Sequence, residues 1–315
     1  MNADSNAVPE SPLDRQVAAP APMAATRPLY WSVRRELWEN RSIYMGPLIA
    51  AAVYLLGYLI SLIWLPHSMR ELAALDAEHQ RIKLAEPFAH AGMLLTFVAF
   101  LVGIFYSLDA LHGERRDRSI LFWKSLPVSD LTTVLSKASI PLVVLPAIVF
   151  SLTIALQIVM RILSTAVLLM AGSGVATLWS LPLFEMQLGL LYSLIVLALW
   201  HAPIYYWFLL VSGWARRATF LWAVMPPLAL SALEFIAFRT THLGTVLIHR
   251  RVFGFIETAF DLADKNGVPV DAHFIPLARL APGKFLSSPG LWVGLIFAAI
   301  FLAAAVRLRR YREPI

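Results

Sequence analysis

Between Gly113 and Lys137 the chain reads GERRDRSILFWKSLPVSDLTTVLSK, and this stretch holds the residues best suited to recognition chemistry. Glu114, Arg115, Arg116, Asp117 and Arg118 form a charged cluster, followed by Ile120, Leu121, Phe122, Trp123 and then Lys124. Arginine forks grip carboxylates and phosphates, and aromatic side chains supply contact area at interfaces. Pro127 marks a corner, because the residue before a proline is pushed out of the helical region. Ser129 and Asp130 suit a helix N-cap, and Leu131, Val134, Leu135 and Ala138 follow at helical spacing. The expected structure is a short helix, 118–125, lying crosswise between two apolar segments. On these residues alone two readings stand. The helix offers an aromatic anchor and basic residues to a groove on another protein, or Phe122 and Trp123 lie among lipid headgroups while the arginines hold phosphates.

Ionisable groups inside apolar segments form a second set: His90, Asp109, Arg161, Glu185, His201 and Glu234. A charge at membrane depth is a functional hypothesis by default. All but His201 fall near segment ends, where long side chains reach the interface. His201, near a segment centre and followed by Pro203, lines a polar pathway or hydrogen-bonds a neighbouring helix. Gln157 and Gln187 are candidates for interhelical hydrogen bonds. Asp109, Gln157 and His201 are the pathway candidates.

The elements that must position these groups are membrane helices. Apolar residues make up 59% of the chain and charged residues 15%, against about 25% charged in an ordinary soluble domain. The mean hydropathy is +0.68. Six spans are predicted, at 43–65, 88–111, 141–160 with a continuation past Arg161 left open, 187–211, 219–238 and 291–308, each near the length a bilayer core requires. Residues 1–28, rich in Ala and Pro and without an apolar run, are expected to be a disordered cytoplasmic tail rather than a signal peptide. Leu29–Arg41 is expected to lie in the membrane interface. Leu29, Tyr30, Val33 and Leu37 share one face there, Trp31 and Trp38 border it, and Arg35, Glu36 and Glu39 lie away from it. The segment 239–290 is the least regular part, with a short re-entrant or interfacial helix expected within 242–260. The fold class expected is therefore all-α and integral to the membrane.

Orientation follows from Lys and Arg. With the N-terminus inside, sixteen of the 26 fall in inner segments: five before the first span, five in the 113–137 loop, two at Arg216 and Arg217, and four at or beyond the inner end of the last span. Both termini are thus expected to be cytoplasmic. The same placement accounts for the net charge of +6, so no nucleic-acid partner is implied.

Several chemistries find no support. Without cysteine there are no disulfides, thiolate metal sites or thiol nucleophiles. There is no P-loop: Gly283-Lys284 is followed by Phe285. HExxH and GxSxG are absent too, so the chain is not expected to be an enzyme. Gly290 and Gly294 form a lone GxxxG, a weak sign of close helix packing.

The 113–137 loop, placed after an interfacial helix and two spans, resembles that of the permease subunits of ABC-2 type transporters. The residues that carry the likeness are Glu114, Arg115, Arg116, Ser119, Leu121, Leu126, Pro127, Val128, Ser129 and Lys137. Where that family often has Gly-Thr-Leu-Glu, this chain has Arg118-Ser119-Ile120-Leu121, without the closing acid. The resemblance implies a coupling helix formed by Glu114, Arg115, Arg116, Arg118, Ser119, Phe122, Trp123, Lys124 and Pro127. It also implies two cytoplasmic ATPase subunits that bind the ATP and magnesium, a second permease chain, identical or paralogous, and export across a bacterial inner membrane. A membrane scaffold or sensor that docks a cytoplasmic protein without transport is the alternative.

Overall fold

The computed structural model describes residues 26–72, 74–120, 128–261 and 277–311. These residues form helices and no strand; one isolated bridge joins Phe260 and Leu280. Six helical stretches are long and apolar enough to cross a membrane. The principal helices are α1 (Thr26–Glu39), α2 (Ser42–Ser61), α3 (Ala77–Asp109), α4 (His112–Arg116), α5 (Asp130–Ser139), α6 (Leu145–Met170), α7 (Leu183–Trp214), α8 (Thr219–Phe238), α9 (Arg250–Phe253), α10 (Phe255–Ala259) and α11 (Pro289–Tyr311).

Helix α7 is the most enclosed span and α8 the least. Along its length α7 packs on α11 and α3, while α2, α3 and α6 form a second layer. The apolar centre of that layer includes Phe88, Leu95, Val149 and Met160. The end of the bundle carrying α1, α4 and α5 is called basal below, and the opposite end distal.

Several helices run past their expected limits. Helix α3 begins at Ala77, not Phe88, because Asp76 caps it by accepting from His79 N–H at 3.4 Å. Pro87 lies inside it, and neighbouring spans bond to the carbonyls there. Tyr54 Oη donates to Pro87 O at 2.5 Å and Gln157 Nε2 to Phe88 O at 2.9 Å. Helix α6 continues past Arg161 to Met170. The Arg161 guanidinium folds over Trp179, 4.1 Å from the ring centroid, and donates to Trp179 O at 2.6 Å. The helix expected to start at Leu29 begins at Thr26.

Ser129 caps α5 as expected, accepting from Thr132 N–H at 3.1 Å. Between α5 and α6 the chain stays helical but widens into a π-helix, Ile140–Val144, at Pro141. Such bulges occur where a helix must absorb a proline or bend. Beside it α3 comes very close. A Cβ on Gly103 would stand 2.9 Å from the Tyr205 ring of α7 and 3.3 Å from Pro141 Cβ. The segment after α8 is a run of short helical pieces through Ala259, and its expected loop at Asp264–Gly267 lies outside the described residues.

Candidate functional site: a buried ionic cluster at the basal end

The loop proposed from sequence is described at both ends but not in the middle. Phe122, Trp123, Lys124 and Pro127 lie outside the described residues. The chain turns at Arg118, whose φ of 56° is left-handed, and residues 119 and 120 are helical. Ser119 Oγ donates back to Glu114 O at 3.4 Å.

The two ends of the motif meet inside the protein. Lys137 Nζ, on α5, stands 3.1 Å from Glu114 Oε1, on α4, and 2.9 Å from Glu36 Oε1, on α1. Glu36 is 0% exposed. It also accepts from Tyr106 Oη of α3 at 2.8 Å and from Arg35 Nη2 at 2.9 Å. Glu114 faces Arg309 Nη2 of α11 at 3.2 Å and Arg35 Nη2 at 3.4 Å. Arg309 Nε lies 3.6 Å from Asp130 Oδ1. Five helices, from α1 near the N-terminus to α11 near the C-terminus, thus converge on one ionic cluster, in which Arg35, Lys137 and Arg309 balance Glu36, Glu114 and Asp130.

The balance is what makes burial tolerable. An isolated charge loses its hydration, and only close opposite charges and hydrogen bonds repay that cost. Glu36 displays the contest. Burial alone pushes its carboxyl up, but the Lys137 ammonium and the Arg35 guanidinium outweigh burial and hold it below the usual glutamate range. Glu39, one turn along α1 and nearer solvent, goes the other way: burial raises it, and Arg35 at 3.7 Å only partly offsets this.

Arg115 is turned inward as well. Its Nη1 donates to Gly213 O at 2.8 Å and Ala215 O at 3.3 Å, closing the carbonyl end of α7. Leu111 N–H donates to Ser212 Oγ at 3.3 Å beside it. Helix α4 is therefore sewn to the end of α7. Of the sequence-predicted cluster, Glu114 and Arg115 are occupied inside the chain. Arg116, Asp117 and Arg118 stay on the surface, with Arg116 Nε 3.0 Å from Asp117 Oδ1 and its Nη1 4.0 Å from Asp109 Oδ1.

The pathway candidates are not brought together. Asp109 is exposed at the basal surface, beside Arg116. Gln157 is buried between α3, α6 and α7, donating to Phe88 O and accepting from Gln187 Nε2. His201 is buried near the middle of α7, with Phe100 and Phe255 rings edge-on at 4.9 and 5.5 Å. Its Nδ1 faces Leu197 O at 3.0 Å and its Nε2 faces Val252 O at 3.2 Å. Of the two expectations for His201, a hydrogen bond to a neighbouring helix is the one found. A groove of ≈ 640 Å³ between α1 and α6, lined by Leu37, Val144, Ala147, Ile148 and Ser151, contains none of the three. Among the described residues no group of His, Asp and Glu is arranged to hold a metal ion.

Glu36, Tyr106, Asp130 and Arg309 are absent from the residues that sequence singles out as a site. The expectation that Glu36 lies away from the buried face of α1 is corrected: Ser32 and Glu36, one turn apart, are buried, while Tyr30, Trp31 and Trp38 are exposed. Arg34 lies over both tryptophans, 5.2 and 4.7 Å from their ring centroids. The sequence signal is faint: Lys137 is a lone charge within about a turn of the third apolar run, whereas Glu36 and Arg309 stand among other charged residues. No family model matches this chain, and no curated protein and no solved structure matches it either.

Proposed function

We propose that this chain is the transmembrane permease subunit of an ABC-2 type exporter. In this reading the basal end is cytoplasmic, with both termini there, and the membrane is a bacterial inner membrane. Two separate ATPase subunits bind and hydrolyse ATP, and a second permease chain, identical or paralogous, completes the pathway. The loop after the second span receives the partner's motion through Arg116, Arg118 and the residues that follow.

The observation that supports this reading most is where the loop is rooted. Glu114 and Lys137 flank it and meet each other at 3.1 Å inside the protein. They share their cluster with Glu36 of α1, Tyr106 of α3 and Arg309 of α11. A loop that only reverses the chain needs no such foundation. One that must pass a push to several spans does, because ion pairs anchored on rigid helices move together instead of yielding separately. The π-helix at Ile140–Val144 then lies directly above α5, where the third span can bend.

The test is to tag the full chain, extract it gently from native membranes, and measure co-purifying protein and ATP hydrolysis. Arg116→Glu combined with Trp123→Ala is prepared alongside. A stoichiometric ATPase that is lost with the loop substitutions supports the permease reading. A stable chain that brings down no ATPase overturns it and puts a non-transporting scaffold first.

A further inference from the structure

Arg251, on the short helix α9 at the distal end, carries a charge that no described carboxylate answers. In the basal cluster Arg35, Lys137 and Arg309 each pair with a Glu or Asp. The contacts of Arg251 are of another kind. Nη1 donates to Gly290 O at 3.1 Å, and Cζ lies 5.0 Å from the centroid of the Trp200 ring. Trp200 Nε1 donates in turn to Arg251 O at 3.0 Å, fixing the backbone beneath the side chain. Nε and Nη2 are buried and have no hydrogen-bond partner among the described residues.

Those two nitrogens form one edge of the guanidinium. Their N–H bonds are parallel, and this is the fork that takes a carboxylate or phosphate with two hydrogen bonds at once. Glycine makes the room for it: a Cβ at Gly294 would collide with the guanidinium. The GxxxG of α11 therefore cradles an arginine here instead of a partner helix. Burial pushes the guanidinium down to about 10, so it stays charged at neutral pH.

The surroundings select the ligand. Trp200 and Phe285 wall the site with apolar surface, their ring centroids 6.3 Å apart. Gly290 is the second residue of a helix long and apolar enough to cross the membrane, so the guanidinium sits at the start of that helix and against Trp200, midway along α7. His249 and Arg250 are exposed alongside and add positive charge. Phosphate is the anion a bilayer offers at the end of a span, and basic pockets between membrane helices hold lipid headgroups.

We propose that Arg251 is the phosphate-binding group of a distal site, which grips the headgroup phosphate of an anionic amphiphile through Nε and Nη2 when α9 lifts from Gly294. The closed form leaves two donors of a charged group without partners among the described residues, so opening toward an anion supplies hydrogen bonds that those residues do not. The inference rests on the membrane-spanning character of α11 and not on the permease reading.

The experiment is native mass spectrometry of the full chain in detergent, titrated with phosphatidylglycerol or phosphatidylcholine, with and without inorganic phosphate. Wild type is expected to retain phosphatidylglycerol preferentially. Arg251→Gln is expected to weaken retention by about tenfold or more, the scale of one lost charge-assisted hydrogen bond. Arg250→Gln, which removes an exposed neighbouring charge, is expected to change it by less than about twofold. Should Arg251→Gln not fold, Arg251→Lys keeps the charge without the fork and is expected to lose most of the preference. Competition by inorganic phosphate would assign the site to free anions, and its failure to compete would assign it to headgroups; both keep phosphate as the ligand chemistry. Equal losses from Arg250→Gln and Arg251→Gln, or no loss from either, would overturn the proposal.

Discussion

Lys137 Nζ stands 2.9 Å from Glu36 Oε1, and both side chains are sealed from solvent. This pair joins the start of the third span to the N-terminal helix, and its neighbours extend the link to α3, α4 and α11. Removing one partner leaves the other charge buried and uncompensated, which costs about 3–5 kcal/mol. Removing both with apolar isosteres of similar size avoids that penalty. Glu36→Gln and Lys137→Met are therefore each expected to lower thermal stability in detergent strongly. The double variant is expected to recover part of the loss, a coupling that a double-mutant cycle reads directly. Additive losses would mean that the two groups do not interact.

The same pair predicts a pH dependence with a definite sign. The Glu36 pKa is depressed in the folded protein because Lys137 and Arg35 outweigh its burial. Its contribution to stability is then complete above the ordinary glutamate value of about 4.3 and is lost as pH falls through the lower native value. Melting temperatures of the wild type are expected to hold down to about pH 5 and to fall below it as this carboxylate protonates. Glu36→Gln starts lower at neutral pH but has a flatter acid limb. Parallel acid limbs in the two proteins would count against Glu36 as the group responsible.

The spans are legible in the sequence because each is a long apolar run, and that signal is independent of tertiary contacts. Their ends are less so. Charged residues from Glu78 to Glu86 disguise the first turns of α3, and Arg161 disguises the continuation of α6. In the folded chain the first segment is capped by Asp76 and the second is covered by Trp179. Glu36 is the clearest case of information that is not local. A glutamate on an amphipathic helix ordinarily faces water, and what buries this one is a lysine 101 residues later. The placing of Arg115 also depends on a distant element, since its acceptors are the last carbonyls of α7.

Gly103 is required by the approach of α3 to α7. A side chain there meets the Tyr205 ring at 2.9 Å and Pro141 at 3.3 Å, and neither a ring held in a helix interface nor a proline moves easily. Gly103→Val is expected to cost about 1–3 kcal/mol, the usual penalty of overpacking, despite the better helix propensity of valine. Tyr205→Ala in the same chain is expected to return part of it. Gly57, with nothing near its missing Cβ, is the control: Gly57→Ala is expected to leave the melting temperature unchanged or slightly raised. Equal effects at both glycines would mean that α3 and α7 do not pack as described.

Arg115 and Arg116 are adjacent in sequence yet have different tasks, and this separates folding from partner recognition. Arg115 closes the end of α7 with two charge-assisted bonds to carbonyls, so Arg115→Ala removes donors from buried acceptors. A loss of about 1–3 kcal/mol is expected, with faster amide exchange near Gly213. Arg116 is a surface residue whose contacts to Asp117 and Asp109 are exposed ion pairs, worth little to stability. Arg116→Ala is therefore expected to leave the melting temperature within about 0.5 kcal/mol of wild type. If the permease proposal holds, it lowers ATPase activity of the purified complex all the same. The informative comparison is turnover per folded complex, because only a surface contact can lower it without lowering stability. A variant at Arg116 that melts early, or one at Arg115 that melts normally, would reverse the assignment of the two arginines.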